Sequence, residues 1–103
     1  MKQAPDSLKS ATANPPKRVL IVDDSATVRE YLRYVIAADE GLEVIGTARD
    51  GLEAVSLVHA NKPDIVTMDI HMPAMSGLEA TRRIMAECPV PIVIVTSSWD
   101  QDQ

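Results

Sequence analysis

Phenylalanine is absent from this 103-residue chain, and two Tyr and one Trp are its whole aromatic content. A core must therefore be assembled from Val, Ile, Leu, Met and Ala, which supply most of a 46% hydrophobic fraction. Cysteine is nearly absent too: Cys88 alone excludes an internal disulfide. No apolar run approaches the roughly 20 residues needed to span a bilayer, and the N-terminus carries no signal-peptide segment. Membrane insertion is not expected, and a reducing cytoplasm is the expected location. Basic charge is also scarce, with 10 Lys and Arg against 15 Asp and Glu and a net charge of -5. Such a surface disfavours nucleic acid as a partner, because binding a phosphate backbone needs clustered cations.

What is present has a clear order. Residues 1–16 show neither helical nor strand periodicity and are expected to form a disordered tail, leaving residues 17–103 as one domain. Val19-Leu20-Ile21-Val22 is a continuous apolar strand that ends in Asp23-Asp24-Ser25. Val28, Leu32, Val35 and Ile36 then recur at helical spacing, with Asp24 or Ser25 as N-cap and Gly41 expected to close the helix in a left-handed conformation. Glu43 to Ala48 is a second strand. Asp50-Gly51-Leu52-Glu53 has capping-box spacing, and Ala54, Val55, Leu57 and Val58 give the following helix an apolar face.

Asp64-Ile65-Val66-Thr67-Met68 delivers Asp69 to its carboxyl end before the loop Ile70-His71-Met72-Pro73. Ser76 and Glu79 form a second capping box, with Leu78, Ile84, Met85 and Cys88 expected on the buried stripe of a third helix. Pro91 to Val95 is a fourth strand, ending in Thr96-Ser97-Ser98 before Trp99. The order β-α-β-α-β-α-β specifies a parallel sheet with right-handed crossovers and helices on both faces.

In such a sheet all carboxyl ends share one edge, so Asp23, Asp24, Asp69 and Thr96 can converge. Each has a bland reading: an acidic pair before a helix caps it, and an acid before Met72-Pro73 forms a turn. Together they point to chemistry. Converging carboxylates repel, and a hard divalent cation with oxygen ligands, Mg²⁺ rather than zinc, relieves that repulsion. Asp24, Asp69 and a backbone carbonyl just after Asp69 are one ligand set, with Asp23 acting directly or through water. Asp69 could then attack phosphorus, and the Thr96 hydroxyl could report the result. A flavin-binding reading fails on the acids in the first turn, which would repel a cofactor phosphate. An acid-phosphatase reading lacks a second acid beside Asp69.

The segments Val19 to Ser25, Asp64 to Pro73, Met75-Ser76-Gly77-Leu78-Glu79 and Pro91 to Ser97 resemble the receiver domains of two-component response regulators. Val44 to Ala48, Asp50 to Ala54 and Ile84 to Pro89 look like the receiver half of the chemotaxis protein-glutamate methylesterase. The resemblance implies a flavodoxin-like sheet in the order 2-1-3-4. It implies Asp69 as phosphoacceptor, Asp23 and Asp24 as the acidic pair, the His71 carbonyl as a Mg²⁺ ligand, Thr96 as switch hydroxyl and a histidine kinase as partner. Ser76 stands where many relatives carry Asp.

By the same resemblance a complete receiver continues through a fourth helix, a fifth strand ending in Lys and a fifth helix. No Lys here follows an apolar strand, so weakened phosphorylation is expected, with a phosphorylation-incompetent interaction module as the alternative. No esterase domain accompanies the receiver, so these residues are expected not to be an enzyme. The fourth strand is expected to leave an open edge available to a partner or a second copy.

Overall fold

The computed structural model describes residues 15–96, so the expectations for residues 1–14, Ser97, Ser98 and Trp99 lie outside the described residues. Seven elements follow one another: β1 (Lys17–Val22), α1 (Ala26–Ala37), β2 (Leu42–Ala48), α2 (Gly51–Asn61), β3 (Ile65–Met68), α3 (Gly77–Glu87) and β4 (Ile92–Ile94). All strand pairs are parallel, in the order β2-β1-β3-β4. This is the receiver-type, flavodoxin-like arrangement.

β1 runs through the centre and is sealed on both faces, with Val19, Leu20, Ile21 and Val22 each at most 1% exposed. Strand alternation sends Leu20 and Val22 to one face. There they join Val66, Met68, Ala54, Val55, Val58, Ala80 and Ile84 in the main core under α2 and α3. Val19 and Ile21 project to the opposite face, where α1 packs on β1 and β2. α1 is only half-sunk: none of its residues is buried, and Tyr31, Tyr34 and Val35 are exposed.

The helix starts follow their local chemistry. Ser25, not Asp24, caps α1, its Oγ accepting from the Val28 N–H at 3.2 Å. Asp50 caps α2, accepting from the Glu53 N–H at 2.8 Å, while Glu53 reaches back to the Arg49 N–H at 2.9 Å. Ser76 caps α3 through the Glu79 N–H at 3.2 Å, but the reciprocal half of that box is missing because Glu79 pairs with Arg82 at 2.6 Å.

Two expectations are corrected. Gly41 is not left-handed; Asp39 Oδ1 accepts its N–H at 2.8 Å and turns the chain without a positive φ. The buried stripe of α3 is Gly77, Ala80 and Ile84 with half-buried Cys88 beside it, while Leu78 and Met85 are exposed. Leu78 and Met85 sit one residue past Gly77 and Ile84. One residue is about 100° of helix, enough to turn them out of the contact with α2.

Candidate functional site

The carboxyl ends of β1 and β3 are drawn together by the ladder itself. The Asp69 N–H donates to the Val22 carbonyl at 3.0 Å, and the Asp23 N–H donates to the Ala48 carbonyl at 3.0 Å. Both side chains therefore leave the sheet at one level. Asp23 and Asp69 are 1% exposed, while Asp24, one residue further on, is open to solvent. Ligand atoms of all three lie within 4.8 Å of one another.

The turn carrying the acidic pair is braced from α1. Asp23 Oδ1 accepts the Ser25 N–H at 2.9 Å, and Arg29 Nη1 donates to the Asp23 backbone oxygen at 2.8 Å. The cap falls to Ser25, so the Asp24 side chain is spared that task.

Asp69 is poorly satisfied by the protein alone, since its buried Oδ1 has no hydrogen-bond partner. Its pKa is raised above the ordinary aspartate value, first by loss of solvent and next by the Asp23 charge. The His71 backbone N–H opposes the rise, and Asp24 adds to it. Three convergent carboxylates with one buried, orphaned oxygen form a donor set short of positive charge. All-oxygen ligation with one side open to water fits Mg²⁺ and does not fit zinc.

His71 follows in the loop after β3, and its side chain is exposed. Thr96 lies two residues beyond β4. The Val95 N–H donates to the Met68 carbonyl at 2.9 Å, which puts Thr96 at the same end of the sheet as Asp69, with its side chain exposed. His59 plays no part here: it pairs with Glu87 at 2.9 Å between the far ends of α2 and α3.

Several residues that set the site were not singled out from the sequence. Arg29 is one. Gly77 is another: it donates to the Ile70 carbonyl at 2.8 Å. A β-carbon there would overlap the Asp69 carbonyl oxygen and stand 2.8 Å from the Asp69 carbonyl carbon. The first turn of α3 thus rests on the backbone of the candidate nucleophile. Gly51 gives the loop a second seat, because a β-carbon there would meet Met75 Cγ at 2.8 Å. Between these contacts the chain turns at Ala74, a non-glycine residue at φ 66. A glycine opening a helix was the available signal, since Gly disfavours helix interiors unless something approaches closely.

The description "response regulator receiver domain" matches residues 19–103. Over 86 residues the chain is 60% identical to protein-glutamate methylesterase/protein-glutamine glutaminase 4 of Geobacter metallireducens, an alignment covering 84% of this chain and 25% of that protein. The enzyme of the same name from Myxococcus xanthus is 52% identical over 89 residues, covering 86% of this chain and 25% of that protein. The chain thus spans about a quarter of the length of these curated relatives. Among solved structures, the response regulator domain of Thermotoga maritima CheB superposes with a TM-score of 0.79 at 42% identity, covering 84% of this chain and 65% of that one. The CheX-CheY-BeF3-Mg complex from Borrelia burgdorferi is similar at a TM-score of 0.73 and 36% identity, covering 84% of this chain and 66% of that chain.

Proposed function

The chain belongs to the response regulator receiver domain family, and from that premise we propose that it is the phosphoacceptor module of a chemotaxis-type phosphorelay. The matched residues are receiver sequence and are not by themselves an enzyme. The observation that carries the proposal is the convergence of Asp23, Asp24 and Asp69 with the Asp69 Oδ1 buried and unpartnered. That arrangement is poor for stability and useful for chemistry.

In this reading Asp69 is the nucleophile. One of its carboxylate oxygens forms a bond to the phosphorus of a histidine kinase's phosphohistidine. The phosphorus–nitrogen bond breaks, and the imidazole leaves with its electron pair and takes a proton from water. Asp23, Asp24, Asp69 and the His71 carbonyl would hold Mg²⁺, which supplies positive charge against the phosphoryl oxygens and the carboxylates. Burial keeps water from Asp69 on the core side, so the phosphoryl group enters from the open Asp24 side. The Thr96 hydroxyl, at the neighbouring strand end, donates to a phosphoryl oxygen and converts the covalent change into a surface change. A cytoplasmic location and a chemotaxis kinase as donor complete the reading.

Intact-mass spectrometry after acetyl phosphate treatment, with and without Mg²⁺, tests it. Gain of one HPO₃ only with Mg²⁺, absent from Asp69→Asn, is the expected outcome. A cooperatively folded chain that gains nothing would sink the phosphoacceptor reading in favour of an interaction module.

A further inference from the structure

Of the three acids at the site, Asp24 has the least to hold it. Asp23 and Asp69 are buried, but Asp24 is open to solvent, so packing does not fix its carboxylate, and its neighbour Asp69 is of like charge. Its place is inherited from the two peptide planes on either side of it. The plane after it is set by the Ser25 N–H, which donates to Asp23 Oδ1 at 2.9 Å. The plane before it is set by Arg29, whose Nη1 donates to the Asp23 backbone oxygen at 2.8 Å.

Helix chemistry alone does not account for Arg29. A cation near the start of a helix opposes the helix dipole, and α1 has no acid in its first turn to offset it. The turn before the helix does account for it. The Arg29 backbone N–H donates to the Ser25 carbonyl at 2.9 Å, which ties the residue to the helix start. Its half-buried side chain reaches back from there to Asp23. One residue thus clamps the turn on both sides of Asp24. A charge-assisted bond of this kind is stronger than a neutral one, and the planar guanidinium fixes direction as well as distance.

We propose that Arg29 is the positioning residue of the acidic trio, holding the Asp23–Asp24 peptide so that the Asp24 carboxylate can share a divalent cation with Asp23 and Asp69. The proposal rests on reading the trio as a Mg²⁺ site, and it adds that the affinity of that site is set from α1. Arg29 affects a cation in two ways of opposite sign. Its charge repels the cation, so charge alone would make its removal tighten binding. Its hydrogen bond keeps Asp24 in place, so positioning makes its removal loosen binding. Positioning dominates, because solvent at the open Asp24 side screens the charge, whereas a carboxylate that swings into water leaves the ligand set altogether.

The test needs no phosphorylation. Isothermal titration calorimetry of the full chain with MgCl₂ reads the affinity, and urea melts confirm cooperative folding. Arg29→Met keeps the aliphatic stem and removes donor and charge; it should weaken Mg²⁺ binding roughly tenfold, the scale on which loss of a ligand-orienting residue acts. Arg29→Lys should recover most of that loss, because the contact is a single bond that an ammonium can also make. Arg33→Met is the charge control: it removes the same unit charge from an exposed position further along α1 and should leave the affinity within roughly twofold. In the metal-free chain, hydrogen exchange at the Ser25 N–H should quicken in Arg29→Met, while exchange at the Val66 N–H, bonded to Pro91 within the sheet, should not. If Arg29→Met does not melt cooperatively, Arg29→Gln, whose amide is too short to reach, takes its place. A folded variant that binds Mg²⁺ as tightly as the parent or more tightly, an equal loss in Arg33→Met, or unchanged Ser25 exchange would each overturn the proposal while leaving the phosphoacceptor reading intact. A parent chain that binds no Mg²⁺ would overturn both.

Discussion

Gly77→Ala is the substitution that most directly joins fold to site. The added methyl would overlap the Asp69 carbonyl oxygen, with 2.8 Å to the Asp69 carbonyl carbon and 2.9 Å to the Ile70 Cα. Carbon atoms rest at about 3.5–4.0 Å, so either α3 or the Asp69-Ile70 backbone must yield by about 1 Å. Neither yields freely, since Asp69 is bonded to Val22 on one side and Gly77 to Ile70 on the other. Overpacking of this kind costs about 1–3 kcal/mol, and weakening the Gly77–Ile70 bond adds about 1 kcal/mol. Replacing Gly by Ala in a helix returns about 0.5–1 kcal/mol. The net loss is about 1–3.5 kcal/mol, a fall in Tm of roughly 5–25 °C for a domain of this size. Urea and thermal melts followed by circular dichroism read the stability, and the yield of Mg²⁺-dependent phosphorylation reads the displacement of Asp69. Gly46→Ala is the control: its β-carbon would meet only Leu20 Cδ1 at an ordinary 3.8 Å. It should be neutral or stabilising by up to about 1 kcal/mol through the unfolded chain. A Gly77→Ala protein that melts within about 1 kcal/mol of the parent and is phosphorylated to the same extent would refute this contact as what positions Asp69.

Two further outcomes follow from the same geometry. The Asp69 pKa is raised in the fold, chiefly by burial and then by Asp23, so its favourable contribution is complete below the unfolded aspartate pKa and is lost as pH climbs through the folded value. Asp69→Asn should therefore be more stable than the parent near neutral pH, with the difference closing as pH falls into the aspartate range and shrinking when Mg²⁺ is added to the parent; urea melts across pH would show it, and a less stable Asn variant would contradict the electrostatic picture. Ala74 sits at φ 66, where a side chain costs about 1–2 kcal/mol, so Ala74→Gly should stabilise the chain by about 0.5–1 kcal/mol after its own entropy loss, measured by urea melt.

Much of the site was legible because its residues stand at grammatical positions. Continuous β-branched runs such as Val19 to Val22, short and bounded by turn residues, read as strands covered on both sides, and such strands in a β-α-β order pair in parallel. Acids closing two of them then share an edge whatever the details of packing. Other features were not legible. Whether Asp24 or Ser25 would cap α1 depended on the chain path into the helix, and Ser25 took that place. The reciprocal bond expected of Glu79 was lost to Arg82 three residues on, a competitor that a spacing rule does not weigh. Leu78 and Met85 were expected inward, yet the face that α3 buries is Gly77, Ala80 and Ile84.

The sequence by itself thus determined strand identity, the caps of α2 and α3 and the three acids that could meet, because hydrophobic period and capping chemistry are local properties of the chain; the strand order came from the family resemblance. Only the tertiary structure decided which face of each helix was buried, that Asp69 lost its solvent while Asp24 kept it, and that Gly77 and Arg29 hold the backbone beneath them. Those facts depend on what another element places against a residue, and contact between elements distant in the chain leaves no period to read.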